Sequence, residues 1–470
     1  MRVPSIREAG VGGAIAGCAE AGVLIGSWDF DIPTFDTTRI PVRAALDSAL
    51  SKTSGRRMLP KETPMAGHVT HLECSETGER HAADRLQNLS RAGRALLVRY
   101  DLDAVAQAVT KEALAARPYD MWRYRELLPL DGDADIVSLG EAVTPLIPLD
   151  RLAPAEAAVL VKDESRLPTA SFKARGLALA VTKAKAFGVT RIAMPSNGNA
   201  GAALAAYGAR AGMEVFVFCP EETPDINVRE TARYGAKVWR VNGQIDDCGR
   251  IVAEGKAAAG WFDVSTLKEP YRIEGKKTMG LELAEQLGWT LPDVIFYPTG
   301  GGTGLIGMWK GFEELRAMGW VGDKLPRMVA VQSTGCAPVV RALDTGAARC
   351  EPWPGPKTVV NGVRVPIAFA DALILRTVRA SQGFGVAVSD EDVIAARDRV
   401  AEREGLLLSP EGAATYAAWA AALADGRVAP TDRAVLFNCG SAHKYPMPEV
   451  TDRIDLGAPL DAAALVGAAP

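Results

Sequence analysis

The sequence predicts an α/β protein built on parallel sheets covered by helices. Three observations carry this reading. From about residue 158 to 335, apolar runs at Arg191–Met194, Glu214–Cys219, Lys237–Val241, Val294–Tyr297 and Met328–Val331 alternate with helical stretches such as 199–212 and 280–288. Glycine- and asparagine-rich turns mark the joints between run and helix. The C-terminal part repeats the style more loosely, with helical patterns over 390–405 and 411–424 and a strand pattern at Ala434–Phe437. Strand, turn and helix in repetition is the signature of a sheet whose crossovers are helices.

Taken in order, residues 1–64 show weak periodicity, several Pro and Gly, and basic clusters at Lys52 and Arg56-Arg57, so a poorly ordered extension is expected. Within it, Ile15-Ala-Gly-Cys18 resembles a lipoprotein cleavage box, but the preceding run carries Glu8 and is weakly hydrophobic, which argues against export. From Met65 the chain becomes more regular. His71–Cys74 alternates apolar and polar residues, Ala95–Tyr100 reads as a strand, and Asp101 is placed to cap a helix running through Ala116. Met121–Pro129 is a mixed aromatic and basic turn segment, and Ser138–Leu146 is expected to pack along a cleft. Ala158–Asp163 is a strand pattern, followed by the turn Pro168–Gly176 and a helix pattern to Phe187. Residues 343–366, with Pro and Gly throughout, are expected to form a long surface loop.

Bulk properties narrow the function. A chain of 470 residues, 48% apolar, holds enough material for two or three domains with cores of their own. A net charge of −4 with no long basic run points away from nucleic acid. No stretch is long and apolar enough to span a bilayer as a helix. The seven cysteines form no CxxC pair and there are only four histidines, so no metal site is expected; scattered thiols fit a reducing cytoplasm.

Three strand-to-helix turns carry the chemistry. The first, Pro168-Thr-Ala-Ser-Phe-Lys-Ala-Arg-Gly176, sets Lys173 at or near a helix N-terminus. Positive potential there, with partial burial, favours the neutral amine that Schiff-base chemistry needs. A solvated lysine closing a turn is the plainer alternative. The second, Pro298-Thr-Gly-Gly-Gly-Thr-Gly304, can wrap a phosphate with backbone N–H groups. Gly302-Thr-Gly-Leu-Ile-Gly307 matches the dinucleotide fingerprint, but the following strand ends Val331-Gln-Ser-Thr with no ribose-binding carboxylate, which favours a compact monophosphate over NAD. The third, Pro195-Ser-Asn-Gly-Asn-Ala-Gly201, offers backbone N–H groups, the Ser196 hydroxyl and two side-chain amides, suited to a carboxylate or phenolate-type oxygen or to capping a helix. Phe437-Asn-Cys-Gly-Ser441 adds a thiol at a strand's carboxyl end, where sites form in parallel-sheet folds.

One reactive lysine, a monophosphate cradle, an anion loop and a neutral heteroatom together describe a pyridoxal phosphate site. The chain resembles the β-family (fold type II) of pyridoxal-phosphate enzymes, and within it the threonine synthases. The likeness covers roughly Met65–Tyr445 and rests on Met121-Trp-Arg-Tyr-Arg, Ser138-Leu-Gly-Glu, Thr144-Pro-Leu, Ser171-Phe-Lys, Ser196-Asn-Gly-Asn, Pro270–Thr278, the Gly300–Gly304 loop and Ser409–Ala413. It implies two parallel-sheet αβα domains with the cofactor in the cleft between them: a large domain of 151–190 and 286–460, a small mobile substrate-side domain of 191–285, and an N-terminal segment, 65–150, packed on the core. It implies that Lys173 joins the cofactor aldehyde covalently, Phe172 packs near the ring, and Asn199 meets the 3′-oxygen. Gly300, Gly301, Gly302, Thr303 and Gly304 would hold the phosphate, and Cys439, or Ser441, would face the ring nitrogen. Ser196 and the backbone around Asn197 would hold the substrate carboxylate or phosphate, and Arg272 the substrate phosphate. The implied reaction turns O-phospho-L-homoserine and water into L-threonine and phosphate, and a homodimer is the family default.

The alternative is an ammonia-lyase acting on threonine, serine or a related acid. Ala174 and Ala200 favour it, while Arg272 and the Trp122 segment oppose it. Glu269 stands just before the Pro270–Thr278 motif, where a carboxylate near a phosphate site needs Lys268 or Arg272 to neutralise it.

Overall fold

The computed structural model describes residues 67–454 apart from 134, 155 and 452. The expectations for residues 1–64, the Ile15–Cys18 box among them, lie outside the described residues.

The described chain opens with an antiparallel sheet of β1 (Val69–Cys74), β2 (Arg80–His81) and β3 (Leu96–Tyr100), in the order β2-β1-β3. The helix expected from Asp101 to Ala116 is instead two, α1 (Leu102–Ala108) and α2 (Lys111–Ala115). Asp101 caps the first by accepting the Ala104 amide; then Val109 turns extended, at φ −142°, and Thr110 caps the second by accepting from Ala113. A β-branched pair whose hydroxyl competes for backbone amides breaks the helix there.

Two parallel sheets follow, as the α/β class requires. The first takes β4 (Leu146–Pro148) and β5 (Val159–Asp163), then α3 (Lys173–Ala186) leads away to the second. That second sheet holds β6 (Arg191–Pro195), β7 (Glu214–Pro220), β8 (Lys237–Val241) and β9 (Phe262–Asp263), joined by α4 (Asn199–Ala211), α5 (Asp225–Arg233) and α6 (Ile245–Ala259). Its order is β8-β7-β6-β9, all parallel. Helix α7 (Tyr271–Gln286) returns the chain to β10 (Val294–Pro298), α8 (Thr303–Ala317), β11 (Arg327–Ser333), α9 (Pro338–Asp344), α10 (Asp371–Ala380), β12 (Gly385–Val388), α11 (Asp390–Glu404), α12 (Pro410–Ala424) and β13 (Ala434–Asn438). The six strands order as β12-β11-β10-β13-β5-β4, parallel except for β4 at the edge.

The segment 343–366 is, after Asp344, the irregular and largely exposed loop that the sequence suggests, and it is anchored at a few points. Residues to Asp344 are helical, and beyond them Cys350, Val360 and Val363 are buried. Val360 and Val363 pack against the core of strands and α12, and the Gly362 N–H donates to Glu411 at 2.7 Å. These few apolar anchors tie the loop to the core while its Pro- and Gly-rich remainder stays at the surface.

Helix α7 packs between α3 and α8 and is buried along nearly its whole length. Gly176 and Gly275 let the backbones of α3 and α7 touch: a Cβ on Gly176 would lie 2.9 Å from the Arg272 carbonyl, and one on Gly275 would collide with the Arg175 carbonyl. One set of buried charges at this crossing is paired. Arg175 grips Glu164 through Nε (2.7 Å) and Nη2 (2.8 Å), and reaches Glu282 at 2.8 Å; Lys162 pairs with the same Glu282. Burial opposes the charge of Arg175, but the two carboxylates prevail and hold its pKa above the ordinary value. On the other side of α7, Lys277 and Lys310 pair with Glu274 and Glu314 at 2.7–2.9 Å.

Candidate active site

Three helix N-termini open onto one cavity of about 830 Å³: those of α3 at Lys173, α4 at Asn199 and α8 at Thr303. Converging positive ends favour anions.

Lys173 is the first residue of α3, and the turn before it is held by the segment that follows β13, the neighbour of β5 in the six-stranded sheet. Ser171 bridges to Gly440, and the Phe172 N–H donates to the Cys439 carbonyl at 3.0 Å. The Lys173 amine has no ion-pair partner among the described residues and lies 4.4 Å from the centre of the Phe172 ring. Withdrawal of the amine from water, then the nearby Arg272 guanidinium, push its pKa down to about 8. Phe172 meets Tyr297 edge to face, with centroids 6.1 Å apart. A second amine, on Lys276 of α7, sits 4.0 Å from the centre of the same ring and donates to the Phe172 carbonyl. Lys276 is 0% exposed, and burial, then Lys173 and Arg272, lower its pKa well below the usual lysine value.

The loop Gly300–Gly304 lines the cavity with its backbone. Gly302 adopts φ +75°, and a Cβ there would collide with Ile374; one on Gly304 would collide with the Tyr297 hydroxyl. Only glycine admits both this conformation and this closeness. Thr303 starts α8, 5% exposed. Gly301 faces the Thr266 methyl, and Gly300 faces the Gly362 carbonyl.

In the anion loop, Ser196, Asn197 and Asn199 all line the cavity, and the Ser196 hydroxyl also closes the turn on itself. It accepts the Gly201 amide at 2.8 Å and the Gly198 amide at 3.2 Å, and donates to the Gly198 carbonyl at 3.0 Å. Cys439 follows β13 on the cavity wall, beside Tyr297; burial raises its thiol pKa above the ordinary value, so the thiol stays neutral. Ser441 instead accepts the His443 amide at 3.3 Å and opens a short turn.

Arg272 is placed differently. It is 1% exposed, its Nη1 donates to the Val264 carbonyl at 2.9 Å, and it is not among the residues lining the cavity. Glu269 is turned into the start of α7, accepting the Tyr271 amide at 2.7 Å; burial raises its pKa to about 7, against the pull of Arg272.

Sequence reasoning missed Tyr297, Thr266, Glu411 and Tyr445, all on the cavity wall. Glu411 had a signal, in the Ser409–Ala413 motif; it receives Gly362 N–H and the Tyr445 hydroxyl (2.8 Å). The other three carry no local signal. Among the described residues no group of three or more His, Cys, Asp or Glu side chains could hold a metal ion.

These residues fit pyridoxal phosphate. A neutral-prone amine stands ready for an aldehyde, a glycine cradle at a helix N-terminus for a phosphate, and a neutral thiol for a pyridine nitrogen. The buried Ser171 Oγ and Asn199 Oδ1 have no partner among the described residues, which is how polar atoms waiting for a ligand present themselves.

The comparisons agree. The family model described as "Pyridoxal-phosphate dependent enzyme" matches residues 137–440. A threonine synthase of Methanocaldococcus jannaschii is 32% identical over 376 residues, covering 79% of this chain and 92% of that protein. One of Mycobacterium tuberculosis is 34% identical over 348 residues, covering 73% of this chain and 93% of its own. Among solved structures, maize serine racemase superposes with a TM-score of 0.55 at 20% identity, covering 67% of this chain and 89% of that one. The processed form of threonine deaminase isoform 2 from Solanum lycopersicum gives 0.56 at 19% identity, covering 81% and 90%. The structural likenesses speak for the fold, the sequence likenesses for descent: the chain belongs to the pyridoxal-phosphate-dependent enzymes, in the branch that holds the threonine synthases.

Proposed function

We propose that the protein is a pyridoxal-phosphate-dependent threonine synthase, a lyase converting O-phospho-L-homoserine and water to L-threonine and phosphate. The observation that carries this reading is the likeness to threonine synthases over more than nine-tenths of their length.

Bound pyridoxal phosphate supplies an electron sink that acidifies the carbon–hydrogen bonds around the substrate's amino group. The protein does the rest. With its pKa pushed down to about 8, the Lys173 amine is neutral often enough near neutral pH to take a proton from Cα, and charged often enough to return one further along the chain. The amides around Asn197, at the start of α4, suit the substrate carboxylate, and Ser196 keeps that turn in shape. Arg272, behind the wall, adds positive field that favours a dianionic group in the cavity and a neutral Lys173. Cys439, a neutral neighbour for the ring nitrogen, suits elimination and replacement better than transamination.

The reading extends to motion and assembly. The four-stranded sheet region, 191–285, serves as the small domain that closes on substrate, against a large domain of 151–190 and 286–460, with 65–150 packed on the core. The working unit is a homodimer in the cytoplasm, a compartment in keeping with six free, buried cysteines among the described residues.

The test is a substrate panel on purified, cofactor-loaded protein, read for inorganic phosphate, threonine and ketoacid. Equal yields of phosphate and threonine from O-phospho-L-homoserine are expected. Ketoacid from threonine or serine, with no phosphate released from the ester, would replace this reading with the ammonia-lyase.

A further inference from the structure

The turn that sets Lys173 is strained. Among the described residues, the non-glycine positions with positive φ are Thr169, Ala170, Leu267, Trp289 and Gln382, and only Thr169 (φ +57°) and Ala170 (φ +51°) follow one another. Two successive residues with a Cβ in the left-handed region, just before the reactive lysine, keep that shape only under restraint.

The restraint comes from one segment, residues 439–445, beyond β13. The Phe172 N–H donates to the Cys439 carbonyl at 3.0 Å, the Ser441 N–H to the Ala170 carbonyl at 2.9 Å, and the Lys444 amine to the Thr169 carbonyl at 2.7 Å. The first two are backbone bonds that almost any sequence could make. The third depends on one side chain.

Lys444 has a second partner. Its amine pairs with Glu230 Oε2 at 2.6 Å, and both side chains are largely buried. A solvated pair on the surface would contribute little and hold nothing. This pair is withdrawn from water, and the same amine is bonded to a strained carbonyl. Glu230 belongs to α5, beside the four-stranded sheet, whereas the Thr169 turn leads into α3. One turn earlier on the same face of α5, Asn227 lines the cavity, and its buried Oδ1 has no partner among the described residues. Its amide nitrogen lies against the anion loop, 3.9 Å from where a Cβ on Gly198 would sit. Helix α5 thus touches the cavity with one side chain and, through Glu230 and Lys444, the turn of the reactive lysine with another.

We propose that Lys444 is a positioning residue for the reaction. It clamps the Thr169 carbonyl, which fixes the direction in which Lys173 leaves the turn, and through Glu230 it makes that direction answer to the position of α5. This rests on the reading of Lys173 as the covalent partner of the cofactor. Lys444 does not line the cavity and acts through the backbone.

The experiment compares wild-type holoenzyme with Lys444→Met, Lys444→Arg, Glu230→Gln and the double variant Lys444→Met/Glu230→Gln; Lys444→Gln replaces the methionine variant if that does not fold. The readouts are kcat and KM for O-phospho-L-homoserine, amide hydrogen exchange of the peptide spanning residues 167–174, and the melting temperature. Lys444→Met is expected to lower kcat by about tenfold or more and to leave KM within about threefold, because a misdirected amine costs rate and not binding. Exchange in 167–174 quickens by about tenfold, the weight of one charge-assisted bond, while peptides from β10 and α8 keep the wild-type rate. Lys444→Arg recovers most of both losses. Glu230→Gln shows part of the fall in kcat and adds nothing in the Lys444→Met background. An unchanged kcat in Lys444→Met overturns the proposal. So does a fall in kcat that comes with quicker exchange throughout the chain and a lower melting temperature, which would make Lys444 a general prop. Losses that add in the double variant, or no effect of Glu230→Gln alone, overturn the link to α5. Borohydride reduction and peptide mapping of the wild type check Lys173 separately. If Lys173 is unmodified, that reading fails by itself, and local exchange in Lys444→Met still decides whether Lys444 holds the turn. If the ester is not consumed, the threonine synthase reading fails by itself, and kcat is compared on the amino acid that is.

Discussion

Two clusters of buried charge share the α3–α7 crossing and are wired in opposite ways. Arg175, with Lys162, is matched by Glu164 and Glu282, cation for anion, within a few ångströms. Lys173, only two residues earlier on the same helix, stands with Lys276 and Arg272, and no carboxylate forms an ion pair with any of the three among the described residues. Both clusters are deep in the protein, so dielectric alone does not separate them. The difference is what each is for. A matched set is complete and serves as scaffold; an unmatched set of cations and neutral-prone amines is complete only when an anionic ligand arrives.

Three substitutions probe that contrast. The largest effect is expected from Glu282→Gln, which leaves Lys162 and Arg175 to share Glu164. Breaking a buried set by removing one partner costs roughly 3–5 kcal/mol, to be read from urea unfolding of the holoenzyme. A loss below about 1 kcal/mol would show that the matched cluster is not scaffold. Next is Lys173→Met in cofactor-free protein. The folded-state pKa of about 8 lies below the ordinary 10.5, so the folded protein binds fewer protons than the unfolded chain between those values. The stability penalty is thus complete below pH 8 and fades as pH rises toward 10.5. The variant should be more stable than wild type by roughly 1–3 kcal/mol at pH 7, with the gap closing through that alkaline window. A gap that does not change with pH would sink the assignment. The smallest effect is expected from Lys276→Met. It gives up a hydrogen bond to the Phe172 carbonyl but removes an unmatched amine, and the net change should stay within about 1 kcal/mol. If it instead matched the loss in Glu282→Gln, the two clusters would not differ in kind.

What could be read from the sequence was what depends on neighbours along the chain. The strand-to-helix turns at Lys173, Asn199 and Gly302 announce themselves through glycine, asparagine and position, and the structure gathers all three at one cavity. What could not be read depends on segments meeting from afar. Tyr297 is an ordinary strand aromatic until Gly304 comes against its hydroxyl. Residues 343–366 read as a surface loop and largely are one, but nothing local shows that Val360 and Val363 anchor it in the core and carry Gly362 to Gly300. Arg272 was legible as a cation in the right motif, but its hydrogen bond to the Val264 carbonyl, which keeps it behind the wall, has no trace in the one-dimensional pattern. The break at Val109-Thr110 had a local cause, two β-branched residues in sequence, that the stronger signal of the Asp101 cap obscured.

The bare contact at Gly176 and Gly275 has a mechanical consequence. Backbone rests on backbone there, with no side chain between to compress or change rotamer, so the joint acts as a pivot and not as a cushion. Helix α7 follows directly on the four-stranded sheet, and α3 begins at Lys173. A tilt of the one would therefore pass to the other with no side chain to absorb it, and would reach the reactive amine at the start of α3.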